Sequence, residues 1–125
     1  MFKLQIKYLS FFFGIVSILS FFNILYSYYF NLYLNLDTYY FTLLASFILF
    51  ITFFKFGKYD IKSNIFQKIL TIFLGYLLIP LVLSIPFYFS IYNLTFSNSY
   101  FESISGFTST GFTVFDNIKL IDQSL

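Results

Sequence analysis

Three long apolar runs dominate this sequence and restrict it to folds that lipid, rather than water, can surround. The runs extend over residues 8–34, 39–54 and 69–92. A helix needs about 20 mostly apolar residues to cross the hydrocarbon core of a bilayer. The first and third runs meet this length, and the second meets it when its flanking residues are included. The sequence therefore predicts three transmembrane helices.

The composition agrees with a membrane protein and argues against several other classes. Hydrophobic residues make up 59% of the 125 residues and charged residues only 10%, whereas a soluble domain carries about 25% charged residues. The sequence contains no Cys and no His, which excludes disulfides and thiolate metal sites and removes the commonest general base. A net charge of +2 gives no indication of nucleic-acid binding. We expect neither an enzyme nor a bound cofactor.

The lysines indicate how the three spans are oriented. The six lysines before residue 100 either precede the first run or lie between the second and third runs. They are Lys3, Lys7, Lys55, Lys58, Lys62 and Lys68. The links at 31–38 and 92–99 contain no lysine. Basic residues in short loops remain on the cytoplasmic side of a membrane. We therefore predict a cytoplasmic N-terminus, a cytoplasmic 55–68 loop and two links that face outward.

The third run contains two prolines, Pro80 and Pro86. A proline inside a helix removes a hydrogen bond, and its ring clashes with the preceding turn. We therefore expect the third helix to kink, or to end near Ser84 or Ile85.

The stretch from Tyr100 to Thr113 differs from the apolar runs because it combines hydroxyl side chains with two glycines. Ser99, just before this stretch, and Glu102, within it, form the S-x-x-E pattern of a capping box. This pattern predicts a helix over about 99–107, which is too short to cross a bilayer. The carbonyl end of such a helix favours a cation, and a glycine-containing stretch after it can turn carbonyls toward an ion, as in a pore loop.

Four motifs follow one another at the C-terminal end of the sequence. They are Ser84-Ile85-Pro86-Phe87, Tyr100-Phe101-Glu102, Ser105-Gly106 and Thr108-Ser109-Thr110-Gly111. In this order they resemble the first pore-loop repeat of the Trk/Ktr/HKT superfamily of potassium transporters, and most closely the TrkH-type membrane subunit. The family pattern reads small-x-Pro-Phe, followed by FFE-x-x-S-[GA]-x-T-T-T-G.

The resemblance implies an all-α membrane protein with three transmembrane helices, followed by a re-entrant pore half-helix and a filter loop. Potassium is then the transported ion, and the residues implied to bind it are Ser109, Thr110, Gly111 and Phe112, supported by Thr108 and Glu102. Ser109 replaces the threonine that is commoner in the family, and Phe112 is bulkier than the usual small residue. Both departures retain a backbone carbonyl, so coordination by the loop is still expected.

The resemblance also divides the chain and implies partners. Residues 1–64 would hold two transmembrane helices and the lysine-rich loop, and residues 65–125 the first pore repeat, truncated before its second helix. Family members surround the ion with four repeats, so we expect the remaining repeats in the same polypeptide or from a split partner. The family further implies a bacterial inner membrane location, a filter loop that faces outside, a cytoplasmic nucleotide-binding regulatory subunit and a homodimer.

Other interpretations remain open. The 99–113 segment could be an ordinary extracellular loop that is rich in Ser and Thr. The chain could also be a small membrane-embedded structural or interaction protein, or an inactive truncated gene product, without transport of its own. Glu102 could cap the pore helix, which the S-x-x-E pattern favours, or it could draw cations toward the pore mouth.

Overall fold

Four α-helices make up the regular structure of the chain, in a computed structural model that describes residues 6–57, 64–116, 121 and 125. They are α1 (Ile6–Tyr29), α2 (Leu36–Phe56), α3 (Ile65–Tyr88) and α4 (Phe96–Phe107), and the described residues contain no strand. The first three are long and apolar enough to cross a membrane, which confirms the three predicted spans. Lys3, Lys58 and Lys62, which contributed to the predicted orientation, lie outside the described residues.

The helices begin and end at residues that the apolar runs do not reveal. α1 ends at Tyr29 rather than near residue 34, because Asn31 has a left-handed backbone with a φ of 58°. α3 begins at Ile65, before the apolar run, because Asn64 and Gln67 form a capping box. The Ile65 N–H donates to the Asn64 side chain at 2.9 Å, and the Asn64 N–H donates to Gln67 Oε1 at 3.3 Å.

Pro80 and Pro86 both lie inside α3, which continues to Tyr88. Of the two outcomes expected from the prolines, an end of the helix near Ser84 or Ile85 is therefore wrong, and the kink stays a prediction. Both prolines are buried, and the Ser84 hydroxyl donates to the Leu81 carbonyl at 2.7 Å. Hydroxyl side chains and neighbouring helices allow a membrane helix to continue through a proline.

Helices α1, α2 and α3 alternate in direction, which places their ends in two groups. At one end the start of α1 lies against the end of α2. The close approach is seen at Gly57, where a Cβ would lie 2.9 Å from the Lys7 nitrogen. At the opposite end the α1–α2 link meets the α3–α4 link, where the Ile91 N–H donates to Asn35 Oδ1 at 3.5 Å. The two links that the lysine pattern groups together are thus on the same side of the protein.

A small apolar core holds α1 against α3. Its buried members are Leu9, Phe13, Val16, Ile79 and Val82. Elsewhere the helices meet through small hydroxyl side chains, as at Thr42 and Ser46, which are almost completely buried. Each of these hydroxyls donates to the carbonyl four residues earlier in its own helix, both at 2.8 Å. Small residues of this kind let membrane helices approach closely.

Most of the large apolar side chains point away from this core. Phe22, Phe41, Ile72 and Phe73, for example, are between 58% and 61% exposed. A protein in water rarely exposes a continuous apolar surface of this extent. The three long helices together with their apolar outer surface define the class of the protein, which is a helical membrane protein.

The close approach at Gly57 leads to a stability prediction. A Gly57→Ala substitution places a Cβ against the Phe53 carbonyl oxygen of α2, 2.9 Å from the Lys7 nitrogen and 3.0 Å from the Lys7 Cα of α1. Because all three neighbours are backbone atoms, the end of α2 or the start of α1 must shift, and we expect the free energy of unfolding to fall by about 1–3 kcal/mol. The measurement is an unfolding equilibrium in mixed detergent micelles. Gly106→Ala is the matched control, because a Cβ there meets nothing within 4 Å, and it should not destabilise the protein.

Candidate functional site

Helix α4 begins three residues earlier than the capping pattern predicts. Thr95 is the N-cap, and its side chain accepts a hydrogen bond from the Asn98 N–H at 3.4 Å. Ser99 lies inside the helix, fully buried, and its hydroxyl donates to the Thr95 carbonyl at 3.0 Å. The predicted capping box of Ser99 and Glu102 is therefore wrong, because the earlier hydroxyl residue already satisfies the first turn.

Helix α4 runs antiparallel to α3 and ends beside its middle. Near the start of α4, the Phe96 ring lies 6.4 Å from the ring of Tyr88, the last residue of α3. At the end of α4, the Phe107 ring lies 5.4 Å from the ring of Tyr76, which is the twelfth of the 24 residues of α3. Between these contacts, the Tyr100 hydroxyl donates to the Leu77 carbonyl at 3.1 Å. A 12-residue helix is about 18 Å long, so α4 covers about half of α3.

The loop after α4 folds back onto the last turn of the helix. Its first three N–H groups, on Thr108, Ser109 and Thr110, donate to carbonyls of α4 at 2.8, 3.2 and 3.0 Å. These bonds occupy three of the last four carbonyls of α4, on Ile104, Ser105 and Gly106, which the sequence suggested as part of a cation site. The carbonyls that follow, on Phe107, Thr108, Ser109, Thr110 and Gly111, accept no hydrogen bond from the described part of the chain.

Two loop residues have left-handed backbones. Ser109 has a φ of 57° and Gly111 a φ of 75°. Non-glycine residues rarely adopt a positive φ, whereas glycine does so without a steric penalty. A left-handed residue at every second position rotates peptide groups that would alternate in an extended strand, so that successive carbonyls can face the same side. Open space surrounds Gly111, since a Cβ there would meet nothing within 4 Å.

Ser105 connects the two halves of the loop to the helix. Its side chain is buried, with 3% exposure. Its hydroxyl donates to the Phe112 carbonyl at 2.5 Å and lies 3.0 Å from the Thr110 hydroxyl. The Phe112 carbonyl is thereby engaged with the helix, while its ring is 70% exposed. Phe112 thus anchors the end of the loop, and the unengaged carbonyls precede it.

Removal of the Ser105 hydroxyl should loosen the loop. A Ser105→Ala substitution eliminates the bonds to Phe112 and Thr110, and each bond contributes about 1 kcal/mol. We expect faster amide hydrogen exchange over residues 108–113, by about tenfold for every 1.4 kcal/mol lost. Ser103→Ala is the matched control, because Ser103 is equally buried but bonds only to carbonyls of its own helix. Equal exchange in the two variants would contradict this role of Ser105.

Glu102 holds the part of the chain that follows the loop. Its Oε1 accepts hydrogen bonds from the Val114 N–H at 2.5 Å and from the Thr113 hydroxyl. Directly after Val114, the Phe115 ring lies 5.7 Å from the ring of Tyr92 in the α3–α4 link. The chain therefore descends along α3 as α4, turns at residues 108–112, and returns beside α4 to the level at which it started.

The structure brings the predicted site residues together and adds two that the sequence pattern does not indicate. One continuous exposed turn contains Thr108, Ser109, Thr110 and Gly111. Glu102 contacts the segment that follows, residues 113–115, which we call the returning limb. The two additions are Ser105 and Thr113, which bond to the turn and to Glu102. Ser105 belongs to a quoted motif, so its place beside a glycine at the helix end was an available signal. Thr113 had no such signal. The described residues include no group of three or more His, Cys, Asp or Glu side chains that could hold a metal ion.

The fold and the loop thus define a helical membrane protein with a short helix and turn packed against its third span. The chain matches no protein-family model, and neither a curated protein nor a solved structure is significantly similar to it.

Proposed function

We propose that the chain is the membrane subunit, or the N-terminal part of one, of a potassium uptake system. In this proposal the turn at 108–111 supplies one quarter of a cation filter. The observation that carries it is the row of consecutive carbonyls, from Phe107 to Gly111, that accept no hydrogen bond from the described residues and lie where α4 ends beside the middle of α3. Irregular backbone at membrane depth is tolerated where it lines a polar pathway.

The path of the chain supports a re-entrant pore helix. If α3 spans the membrane, then α4 enters from the side of the α3–α4 link and stops at mid-depth. The contact between Tyr92 and Phe115 then returns the chain to the same side. The lysines support the outside as that side, because Lys7, Lys55 and Lys68 lie at the opposite end and basic residues favour the cytoplasm.

The carbonyls of the turn are suited to a weakly hydrated monovalent cation. Rings of backbone carbonyls replace the hydration shell of potassium in known filters. The left-handed residues Ser109 and Gly111 support a common direction for these carbonyls, and the Ser109 hydroxyl, which forms no hydrogen bond with the described residues, adds an oxygen. Phe112 serves in this proposal as the anchor of the turn. Potassium, rather than another cation, rests on the resemblance of the Thr108–Gly111 motif to the Trk/Ktr/HKT superfamily.

One turn cannot surround an ion, so the proposal requires further repeats. All residues from Thr108 to Thr113 are exposed, which leaves the turn accessible to three equivalent loops. These would come from the same polypeptide or from a partner. By the same resemblance, we propose a bacterial inner membrane location, a homodimer and a cytoplasmic nucleotide-binding regulatory subunit.

A growth experiment tests the proposal. A potassium-uptake-deficient bacterial strain receives the remaining repeats, with or without this chain, and growth is followed at limiting potassium together with rubidium uptake. The proposal expects growth and uptake only when this chain is present. If cells without the chain grow equally well, the chain has no part in transport, and a structural or interaction role becomes the better interpretation.

A further inference from the structure

A groove lies between α1 and α3, in the half of α3 that α4 does not cover. It has a volume of 560 Å³, and the side chains that form its walls are Leu9, Phe12, Ile72, Tyr76 and Phe107, with Lys68 at one end. Phe107, the last residue of α4, also lines the groove, where its ring lies 5.4 Å from the Tyr76 ring near the middle of α3. The groove is therefore apolar along its length, with a charged side chain at one end.

The length of the groove matches one leaflet of a bilayer. Lys68 and Ile79 both line it, and they are eleven residues apart on α3, which corresponds to about 16 Å along the helix axis. The hydrocarbon core of a bilayer is about 30 Å thick. A groove of this length extends from the headgroup region to the middle of the membrane.

The charge at the end of the groove is positive and has no acidic partner among the described residues. Lys68 lies at the same end of the bundle as Lys7 and Lys55. The described residues include three acids. Asp37 lies at the opposite end of the bundle, at the start of α2, whereas Glu102 lies in α4 and Asp116 in the stretch that follows α4. A lysine near a membrane surface attracts anionic lipid headgroups.

We propose that this groove is a binding site for a phospholipid with an anionic headgroup. One acyl chain lies in the groove against Phe12 and Ile72 and reaches Phe107, while the Lys68 ammonium group contacts the headgroup phosphate. The site requires only that α1 and α3 span the membrane, and it does not depend on ion transport.

Tryptophan fluorescence can test this site without interference, because the chain contains no tryptophan. A Phe12→Trp variant places a reporter in the groove, and a Phe73→Trp variant places one on α3 outside it. Phe12 and Phe73 are 50% and 59% exposed, so lipid can reach both. The full chain is reconstituted in phosphatidylcholine vesicles that contain a small fraction of brominated phosphatidylglycerol or brominated phosphatidylcholine, and quenching is compared.

We expect the groove reporter to prefer brominated phosphatidylglycerol by about fivefold in apparent affinity, the gain from one lysine near an anionic headgroup. The reporter at residue 73 should show no preference. Lys68→Gln should abolish the preference at the groove, Lys68→Arg should retain it, and Lys55→Gln, which removes a lysine outside the groove, should have no effect.

Three outcomes would overturn the proposal. Equal quenching by both lipids at the groove would indicate ordinary lipid contact. A groove reporter that neither lipid quenches would indicate that protein occupies the groove. A preference that survives Lys68→Gln but disappears in Lys55→Gln would show that Lys55, rather than Lys68, contacts the headgroup.

Discussion

Potassium-limited growth should be lost when Gly111 is replaced by valine in the complete assembly. Gly111 has a φ of 75°, and a β-branched residue in the left-handed region is a steric outlier. The backbone must either bear a cost of about 1–2 kcal/mol or rotate away. Rotation would redirect the carbonyls of Thr110 and Gly111, which the proposal makes ion ligands. We therefore expect rubidium uptake to fall by about 5- to 30-fold or more, the factor that this energy represents.

Two control variants separate backbone conformation from side-chain bulk. Gly106→Ala adds a methyl group to a helical residue with nothing within 4 Å, and uptake should be retained. Ser109→Gly removes a side chain from the other left-handed position, where φ is 57°; the backbone should be retained at lower strain, so any fall in uptake reports the loss of the hydroxyl oxygen. If Gly111→Val is present in the membrane and supports the uptake of the unmodified protein, the assignment of the turn as a filter is wrong.

The sequence predicted the spanning helices well because their signal is long and one-dimensional. Three apolar runs correspond to α1, α2 and α3, since a bilayer demands this pattern whatever the tertiary contacts are. The helix ends were predicted less well. The capping box at Asn64 and the left-handed Asn31 act through single side chains and single dihedral angles. Several residues with capping potential lie near each helix end, and the sequence does not reveal which one is used.

The start of α4 illustrates this limit. Thr95, Ser97, Asn98 and Ser99 all have side chains that can cap a helix, and the S-x-x-E pattern favoured the last of them. The structure uses Thr95, because the Phe96 ring then packs beside Tyr88 and Tyr100 bonds to α3. Such tertiary contacts are invisible in a local pattern. The prolines of α3 are a second case, since their buried surroundings allow the helix to continue.

The location of the candidate site was predictable, but its internal geometry was not. The motif from Thr108 to Gly111 identified the turn as the place where the backbone becomes irregular. Which carbonyls are unengaged depends on Ser105, whose hydroxyl binds the Phe112 carbonyl across seven residues. The role of Glu102 likewise depends on a chain segment eleven and twelve residues away. Hydrogen bonds of this range follow from the folded path of the chain rather than from spacing.

Glu102→Ala should release the returning limb of the loop. The Glu102 carboxylate accepts hydrogen bonds from the Val114 N–H and the Thr113 hydroxyl. Hydrogen bonds to charged groups contribute about 1.5–3 kcal/mol each when they are shielded from water. Glu102 is only half-buried, so we expect a combined loss of about 2 kcal/mol, below the roughly 3 kcal/mol that two shielded bonds would contribute. The Phe115 contact with Tyr92 should then open more often.

Cysteine labelling can measure this opening, because the chain contains no cysteine of its own. A Val114→Cys substitution introduces one half-buried thiol in the returning limb and keeps both the backbone N–H that binds Glu102 and the Phe115 ring. If opening limits the reaction, a loss of about 2 kcal/mol raises the labelling rate about 30-fold in the Glu102→Ala background. Glu102→Gln, which keeps an acceptor oxygen but removes the charge, should give a smaller increase.

Asp116→Asn is the matched control for this effect. Asp116 is an exposed acid one residue beyond Phe115, and no hydrogen bond joins it to the described part of the chain. Its neutralisation changes the local charge as Glu102→Gln does, yet it leaves the bonds to Thr113 and Val114 intact, so the labelling rate should be unchanged. If both neutral variants accelerate labelling equally, general electrostatics control the limb. If neither Glu102 variant changes the rate, the carboxylate does not hold the loop. Only a response confined to Glu102 supports its role in positioning the turn that the proposed filter requires.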